Sequence, residues 1–313
     1  MLLRKAIATD IPAIIELLKT SLGERMTSKS EQLWSWKHQA NPFGASPVLV
    51  AQEERGELIG VRAFLRWEFI KGGKLIKACR AVDTAVHPAY QGKGVFRQTT
   101  MELVEKMQAE GIDLIYNTPN TQSTPGYLKM GWEKWGKLPL KMEFNFNLGK
   151  KKKDPKPANW QKIREFIDRI ETAPNLKSGV STHHRPGYIS WRYELCPLFP
   201  YHYLSDGESY LLIYRLKEGK LGLELRITDL FILGEITSAK KAALSQELKI
   251  VQKESGVRFT SFSGLTYPEQ KAFDLGYLPV FAIGPIVTLR PLNDDFNPLV
   301  EDWKWSLGDL EVF

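Results

Sequence analysis

The stretch from Arg80 to Glu110 limits the fold more than any other part of the chain. Arg80 to Val86 is rich in small and β-branched residues and is stopped by Pro88, which predicts a strand of about six residues ending near Val86. From Val95 the period changes. Val95, Thr99, Leu103 and Met107 form one stripe with Phe96, Thr100 and Val104 beside it, the 3.6-residue repeat of a helix packed on a core. Between strand and helix, Gly92 and Gly94 leave the backbone bare. The helix then begins with N–H groups that lack intrahelical partners and with the positive end of its dipole pointing outward, an arrangement that can hold a diphosphate.

These residues resemble the signature of the GNAT acetyltransferase superfamily: a strand, Val-x-Pro, then Arg/Gln-x-x-Gly-x-Gly/Ala opening a helix. Here it reads Val86-His-Pro88 followed by Gln91-Gly-Lys-Gly-Val-Phe96. A bare Gly-x-Gly marks only turn geometry; the strand, the Pro, the Gln and the helix in order carry the resemblance. A separate match lies downstream. Ile112 to Tyr116 reads as a strand, Asn117 follows it, and Tyr127-Leu-Lys-Met-Gly-Trp132 is similar to the Tyr-x-Lys-x-Gly-Phe/Trp that ends the next helix in the family. The chain also opens as these domains do, with a strand at Leu2 to Ala6, Thr9 or Asp10 as a cap, and a helix whose apolar face is Ile14, Ile15, Leu17 and Leu18.

The resemblance implies acetyl-CoA as co-substrate and no metal. The loop amides of Gln91, Gly92, Lys93, Gly94, Val95 and Phe96 would take the pyrophosphate, the strand edge at Thr84, Ala85 and Val86 the pantetheine amides, with Asn120 beside the cofactor. It implies direct attack by a primary amine, with Tyr127 as the general acid for the departing thiolate and Asn117 as an orienter. For the base, the residues offer Asp83 on the central strand and Glu68 on the preceding one. They leave other roles open: Tyr127 as half-buried core, Asp83 as a cap on a neighbour, His87 as a turn residue.

At 313 residues, 43% apolar and 25% charged, the chain has the length of two soluble domains. Neither an apolar leader nor a run long enough to span a bilayer stands out, so a cytoplasmic location without membrane insertion is expected. Cys79 and Cys196 have no metal-ligand spacing and are expected as free buried thiols. The net charge of +7 is partly local, at Lys150 to Lys153 and Lys156, and no nucleic-acid-binding pattern accompanies it. The second helix, at Leu33 to Lys37, carries Trp34 and Trp36, read as core.

Leu148 to Asn159 is charged, contains prolines and lacks apolar periodicity. It divides the chain into a catalytic domain at 1–148, a linker at 149–159 and a second domain at 160–313. The second half repeats the layout of the first. Adding 145 places Gly111-Ile112 on Gly256-Val257 and Gly131-Trp132 on Gly276-Tyr277, with a strand at Leu221 to Ile227 and a helix from Ser238 to Glu254. The same offset puts Ile236-Thr-Ser-Ala239 where Gln91 to Gly94 stand, Phe262 on Asn117 and Ala272 on Tyr127.

The expected architecture is therefore α/β: two GNAT-like domains, each a mixed sheet flanked by helices, the second degenerate and placed either to wall an acceptor cleft or to serve only as a stabilising buttress. Trp191-Arg-Tyr193 and the tail Trp303-Lys-Trp305-Ser-Leu-Gly308-Asp309 resemble a bacterial tandem subgroup, some of whose members resemble enzymes of surface-polysaccharide building. The expected partner is a small-molecule amine, an amino sugar among the candidates, and the chain a monomer or homodimer. The alternatives are a non-catalytic acyl-CoA sensor and an aminoacyltransferase of the peptidoglycan-bridge type. Acceptor specificity is expected in loops such as Met26 to Asn41.

Overall fold

The computed structural model describes residues 1–23, 28–145, 153–174, 179–263 and 282–311. They form two compact units: Met1–Gly136 with Ile286–Glu301, and Lys137–Pro285 with the tail from Asp302. The first unit contains β1 (Leu2–Lys5), α1 (Ile11–Leu22), α2 (Glu31–His38), β2 (Val48–Gln52), β3 (Leu58–Lys71), β4 (Lys74–Val86), α3 (Val95–Ala109), β5 (Leu114–Asn117), α4 (Thr124–Lys129) and β6 (Glu133–Lys137). The second contains β7 (Lys141–Phe144), α5 (Arg164–Thr172), β8 (Ser181–Thr182), β9 (His202–Ser205), β10 (Tyr210–Gly219), β11 (Gly222–Ile232), α6 (Ser238–Ser255) and β12 (Phe259–Phe262). The chain then returns to the first unit as β13 (Ile286–Pro291) and ends in the second with α7 (Leu307–Leu310).

Both sheets are mixed. The first runs β1-β2-β3-β4-β5-β13-β6, with β4 and β5 parallel and joined through α3. The second runs β7-β12-β11-β10-β9, with β11 and β12 parallel and joined through α6. The offset of 145 found in the sequence carries β5 onto β12 and places α3 within α6, so the repeat is one of hairpin, helix and parallel strand. Gly276, Tyr277 and Ala272 lie outside the described residues, as do Met26 and the start of the linker.

The sheets cross the division that the linker suggested. Lys141–Phe144, counted with the first half, pairs antiparallel with β12. Ile286–Pro291, counted with the second half, pairs antiparallel with β5, Thr288 opposite Asn117. Pairing is decided by which edge is exposed when the strand arrives, and β5 and β12 each leave one; sequence adjacency has no hold on it.

The first sheet is covered on both faces. On one, Leu103, Val104 and Met107 of α3 pack with Phe64, Ile115, Tyr127 and Trp132. On the other, Ile14, Ile15, Leu17 and Leu18 of α1 pack with Trp34, Val50 and Val61. Each such aliphatic side chain contributes about 1.5–3 kcal/mol when fully buried. In the second unit Leu244 and Leu248 of α6 close over Leu212, Leu225 and Ile227.

Three local expectations turn out differently or more sharply. Asp10 sits at the N-cap of α1, but its carboxylate is taken by Arg4 at 2.7 Å and by the Ile7 amide at 2.8 Å. Cys79 is buried, whereas Cys196 is only half-buried. Trp191-Arg-Tyr193 lies in one π-helical turn, where Arg192 donates from Nε to the Gly308 carbonyl at 2.9 Å, so the two tandem-subgroup signatures meet and fasten the tail to its own unit.

Candidate active site

The site is built where β4 outlasts its partner. β4 pairs with β5 only from Ala78 to Arg80, opposite Leu114 to Tyr116, then continues to Val86 paired with β3 alone. From Ala81 to Val86 its other edge has no strand partner among the described residues. Thr84, Ala85 and Val86 line this edge. Backbone amides and carbonyls there must find a partner, and an extended amide chain is a suitable one.

At the end of this edge the chain turns through Pro88–Tyr90 and Gln91 to Gly94 into α3. The His87 ring accepts from the Ala89 amide at 3.3 Å, the turn role read from the sequence. The Gln91 side chain donates to the Val86 carbonyl at 3.3 Å, which ties the loop to the strand. Gln91, Gly92, Lys93 and Gly94 are exposed. Gly94, at φ 83°, is the N-cap of α3, and no side chain caps the helix. The first helical hydrogen bond is from the Gln98 amide to the Gly94 carbonyl at 3.0 Å, so the amides of Val95, Phe96 and Arg97 precede the ladder. Beneath them lies Gly60 of β3, where a Cβ would stand 2.7 Å from Val95 Cγ1. The missing side chain lets the helix start sit directly on the sheet.

The equivalent point of the second unit is closed. There Thr237 caps α6, its hydroxyl accepting from the Lys240 amide at 3.3 Å. Phe262, at the position of Asn117, is buried in the core.

Tyr127 lies on α4 and is 5% exposed. Its ring meets Phe96 edge-on at 5.6 Å and Trp132 at 5.2 Å, and its hydroxyl accepts from Arg62 Nη1 at 2.8 Å. It is thus both core and polar site. Asn120 holds the turn before α4: its carboxamide oxygen accepts from the Ser123 amide at 2.8 Å and the Gln122 amide at 3.0 Å. That oxygen serves the backbone of the turn that leads into α4. Asn117 is buried, and its side-chain oxygen accepts from the Thr288 hydroxyl on β13. A strand from near the C-terminus therefore fixes Asn117, an arrangement that the local sequence does not show.

Asp83 is the extra residue of a β-bulge: Arg62 stands opposite Thr84 and Ala63 opposite Val82, with Asp83 between. It holds φ at 38°, in the region that non-glycine residues rarely enter and that Asp and Asn tolerate best. Its carboxylate is bound by Lys37 Nζ and His38 Nε2, each at 2.8 Å. Burial by itself would raise the carboxyl; the Lys37 charge and then the His38 hydrogen bond outweigh it and hold the group far below the usual carboxylate range. Burial pushes both Lys37 and His38 down from their ordinary values, against the pull of Asp83. His38 also has Ser46 Oγ 2.9 Å from Nδ1, which suits a neutral ring accepting there and donating to Asp83. A carboxylate so occupied is a weak proton acceptor. Glu68 lies opposite Lys77, toward the hairpin turn and away from Val86.

Arg62, Lys37 and His38 were not singled out from the sequence. The signal was present for Arg62, a cation inside the apolar run Leu58 to Phe69. Lys37 and His38 sit in a polar-looking helix, and only the tertiary contact with Asp83 marks them.

The sequence model of the family described as "Acetyltransferase (GNAT) domain" matches residues 3–135. None of the curated proteins matches the chain. Among solved structures, the chain is similar to a GCN5-related N-acetyltransferase from Anabaena variabilis, with TM-score 0.64 and 16% identity over 93% of this chain and 73% of that one. It is likewise similar to a probable N-acyltransferase from Enterococcus faecalis (TM-score 0.66, 13% identity, 93% of this chain, 72% of the other). Eis1 from Mycobacterium abscessus aligns with TM-score 0.60 and 13% identity over 93% of this chain and 74% of its own. At these identities the structures establish a shared fold.

Proposed function

We propose that the chain, whose residues 3–135 match the GNAT acetyltransferase domain model, is an acyltransferase that moves an acetyl group from acetyl-CoA to a primary amine of a small-molecule acceptor. One observation carries the donor assignment: the uncapped start of α3, on an exposed glycine loop that continues the unpartnered edge of β4. The amides of Gly92 to Phe96 would bind the pyrophosphate, with the dipole of α3 favouring its charge. Thr84 to Val86 would pair with the amides of the pantetheine arm, an extended segment laid along a strand edge. This directs the thioester toward the gap between β4 and β5.

The chemistry then asks for four things: a fixed donor, a deprotonated amine, a stabilised carbonyl oxygen and a proton for the leaving thiolate. The amine nitrogen attacks the thioester carbon, the C–N bond forms and the C–S bond breaks. Tyr127, held by Arg62 and by the turn that Asn120 fixes, supplies the proton to sulfur. Asp83 is assigned to the frame: its bulge aims Thr84, and its ion pair with Lys37 fixes α2 against the sheet. The amine proton leaves through water in this reading. An amino sugar is one acceptor class consistent with it.

The test is calorimetric binding of acetyl-CoA to the wild type and to the Gly92→Glu/Gly94→Glu variant, followed by a thiol-release screen with a panel of primary amines, amino sugars included. Binding by the wild type alone, with thiol release in the screen, is the expected result. Equal binding by the variant would refute the loop assignment. Tight binding with no release from any amine would favour a non-catalytic acyl-CoA sensor.

A further inference from the structure

Arg62 is fully buried on β3. Its guanidinium lies among three rings, with Cζ 4.8 Å from the centroid of Phe64, 5.3 Å from Tyr127 and 5.8 Å from Phe96. Nη1 donates to the Tyr127 hydroxyl at 2.8 Å and also to the Thr84 hydroxyl. Nε and Nη2 are buried without a hydrogen-bond partner, and among the described residues no carboxylate pairs with Arg62. A buried, unpaired cation costs several kcal/mol. Cation–π contacts offset about 1–2 kcal/mol of that. A packing role would be served better by an apolar side chain of the same length, so stability alone does not account for this residue.

Acyl transfer supplies an anion at this place. When the C–S bond of the thioester breaks, the sulfur takes the electron pair and then the Tyr127 proton, leaving the negative charge on the phenol oxygen until water returns a proton. We propose that Arg62 is a charge-compensating positioning residue: through Nη1 it holds the Tyr127 hydroxyl in place and balances the negative charge shared by that oxygen and the CoA sulfur. This rests on the acetyl-CoA reading above. The bulge at Asp83 is part of the device, since it sets Thr84 opposite Arg62, and Thr84 receives the same Nη1.

The probe is CoA itself. Its binding to wild type, Arg62→Met, Arg62→Lys, Tyr127→Phe and the Arg62→Met/Tyr127→Phe double variant is measured by calorimetry, with thermal melts alongside. The thiol of the bound CoA is then titrated by its thiolate absorbance, against the same proteins loaded with desulfo-CoA. Arg62→Met is expected to melt no lower than the wild type, because it removes an unpaired buried charge. Its bound thiol is expected to ionise about one pH unit higher, a tenfold loss of thiolate at a given pH. Arg62→Lys should recover part of that loss, and the Arg62 effect should vanish in the Tyr127→Phe background. An unchanged thiol titration in Arg62→Met and Arg62→Lys with CoA still bound would overturn the proposal, as would an effect that persists without the Tyr127 hydroxyl. Absence of CoA binding to the wild type would instead bring down the acetyl-CoA reading, and this proposal with it.

Discussion

Replacing Asp83 by Asn separates the frame role assigned to this residue from the base role that its strand position invites. Asn tolerates the φ of 38° nearly as well as Asp, so the bulge and the position of Thr84 are kept. What is lost is the anion between Lys37 and His38, leaving Lys37 buried with its side chain 2% exposed. Breaking one partner out of a buried ion pair costs about 3–5 kcal/mol. For a unit of this size that is a drop of roughly 6–20 °C in the melting of the first unit. Adding Lys37→Met removes the stranded cation, and the double variant should regain most of the loss.

The pH dependence has a definite sign. Asp83 is depressed, so its stabilising effect is complete above the ordinary carboxylate range and is lost as the pH falls below about 4. His38 is depressed too, so the fold favours its neutral ring and weakens as the pH falls below about 6.5. Wild-type stability should therefore decline in acid from the His38 range downward, and Asp83→Asn should lack the lower part of that decline. Urea denaturation with near-ultraviolet circular dichroism from roughly pH 2 to pH 8, which spans both ranges, reads this directly. A variant within about 1 kcal/mol of wild type that has lost turnover would refute the frame role and restore Asp83 as the base.

Other changes test the remaining parts. Gly60→Val places carbon where Val95 already stands, 2.7 Å from the new Cβ, and should cost about 1–3 kcal/mol. Because it lifts the start of α3, acetyl-CoA affinity measured by calorimetry should fall about tenfold or more. Thr237→Ala uncaps α6 and should cost about 1 kcal/mol in urea denaturation while leaving acetyl-CoA binding unchanged. With iodoacetamide, Cys196 should react in the folded protein and Cys79 only on unfolding, since burial raises the Cys79 thiol to about 12.

The strand, glycine loop and helix from Arg80 to Ala109 form as the local sequence requires. β-branching, Pro88, the glycines and a 3.6-residue stripe each act over a few residues and agree with one another. Tyr127 and Asn117 were legible in the same way, by their places after β5 and on α4, and the offset of 145 gave the second α/β unit. The contacts of individual polar groups were decided by tertiary structure. Asn120 reads as a ligand-facing residue but spends its oxygen on the backbone of a turn, and Asp83 reads as a base but meets Lys37 and His38 from more than forty positions away. The exchange of β7 and β13 between sheets, and with it the Thr288 contact that holds Asn117, depends on which strand edges stand open once each sheet has formed. Sequence determined the elements, because propensity and periodicity are local. Only the fold decided the pairings among strands and charges, because hydrogen-bond and ion partners are chosen by proximity in space.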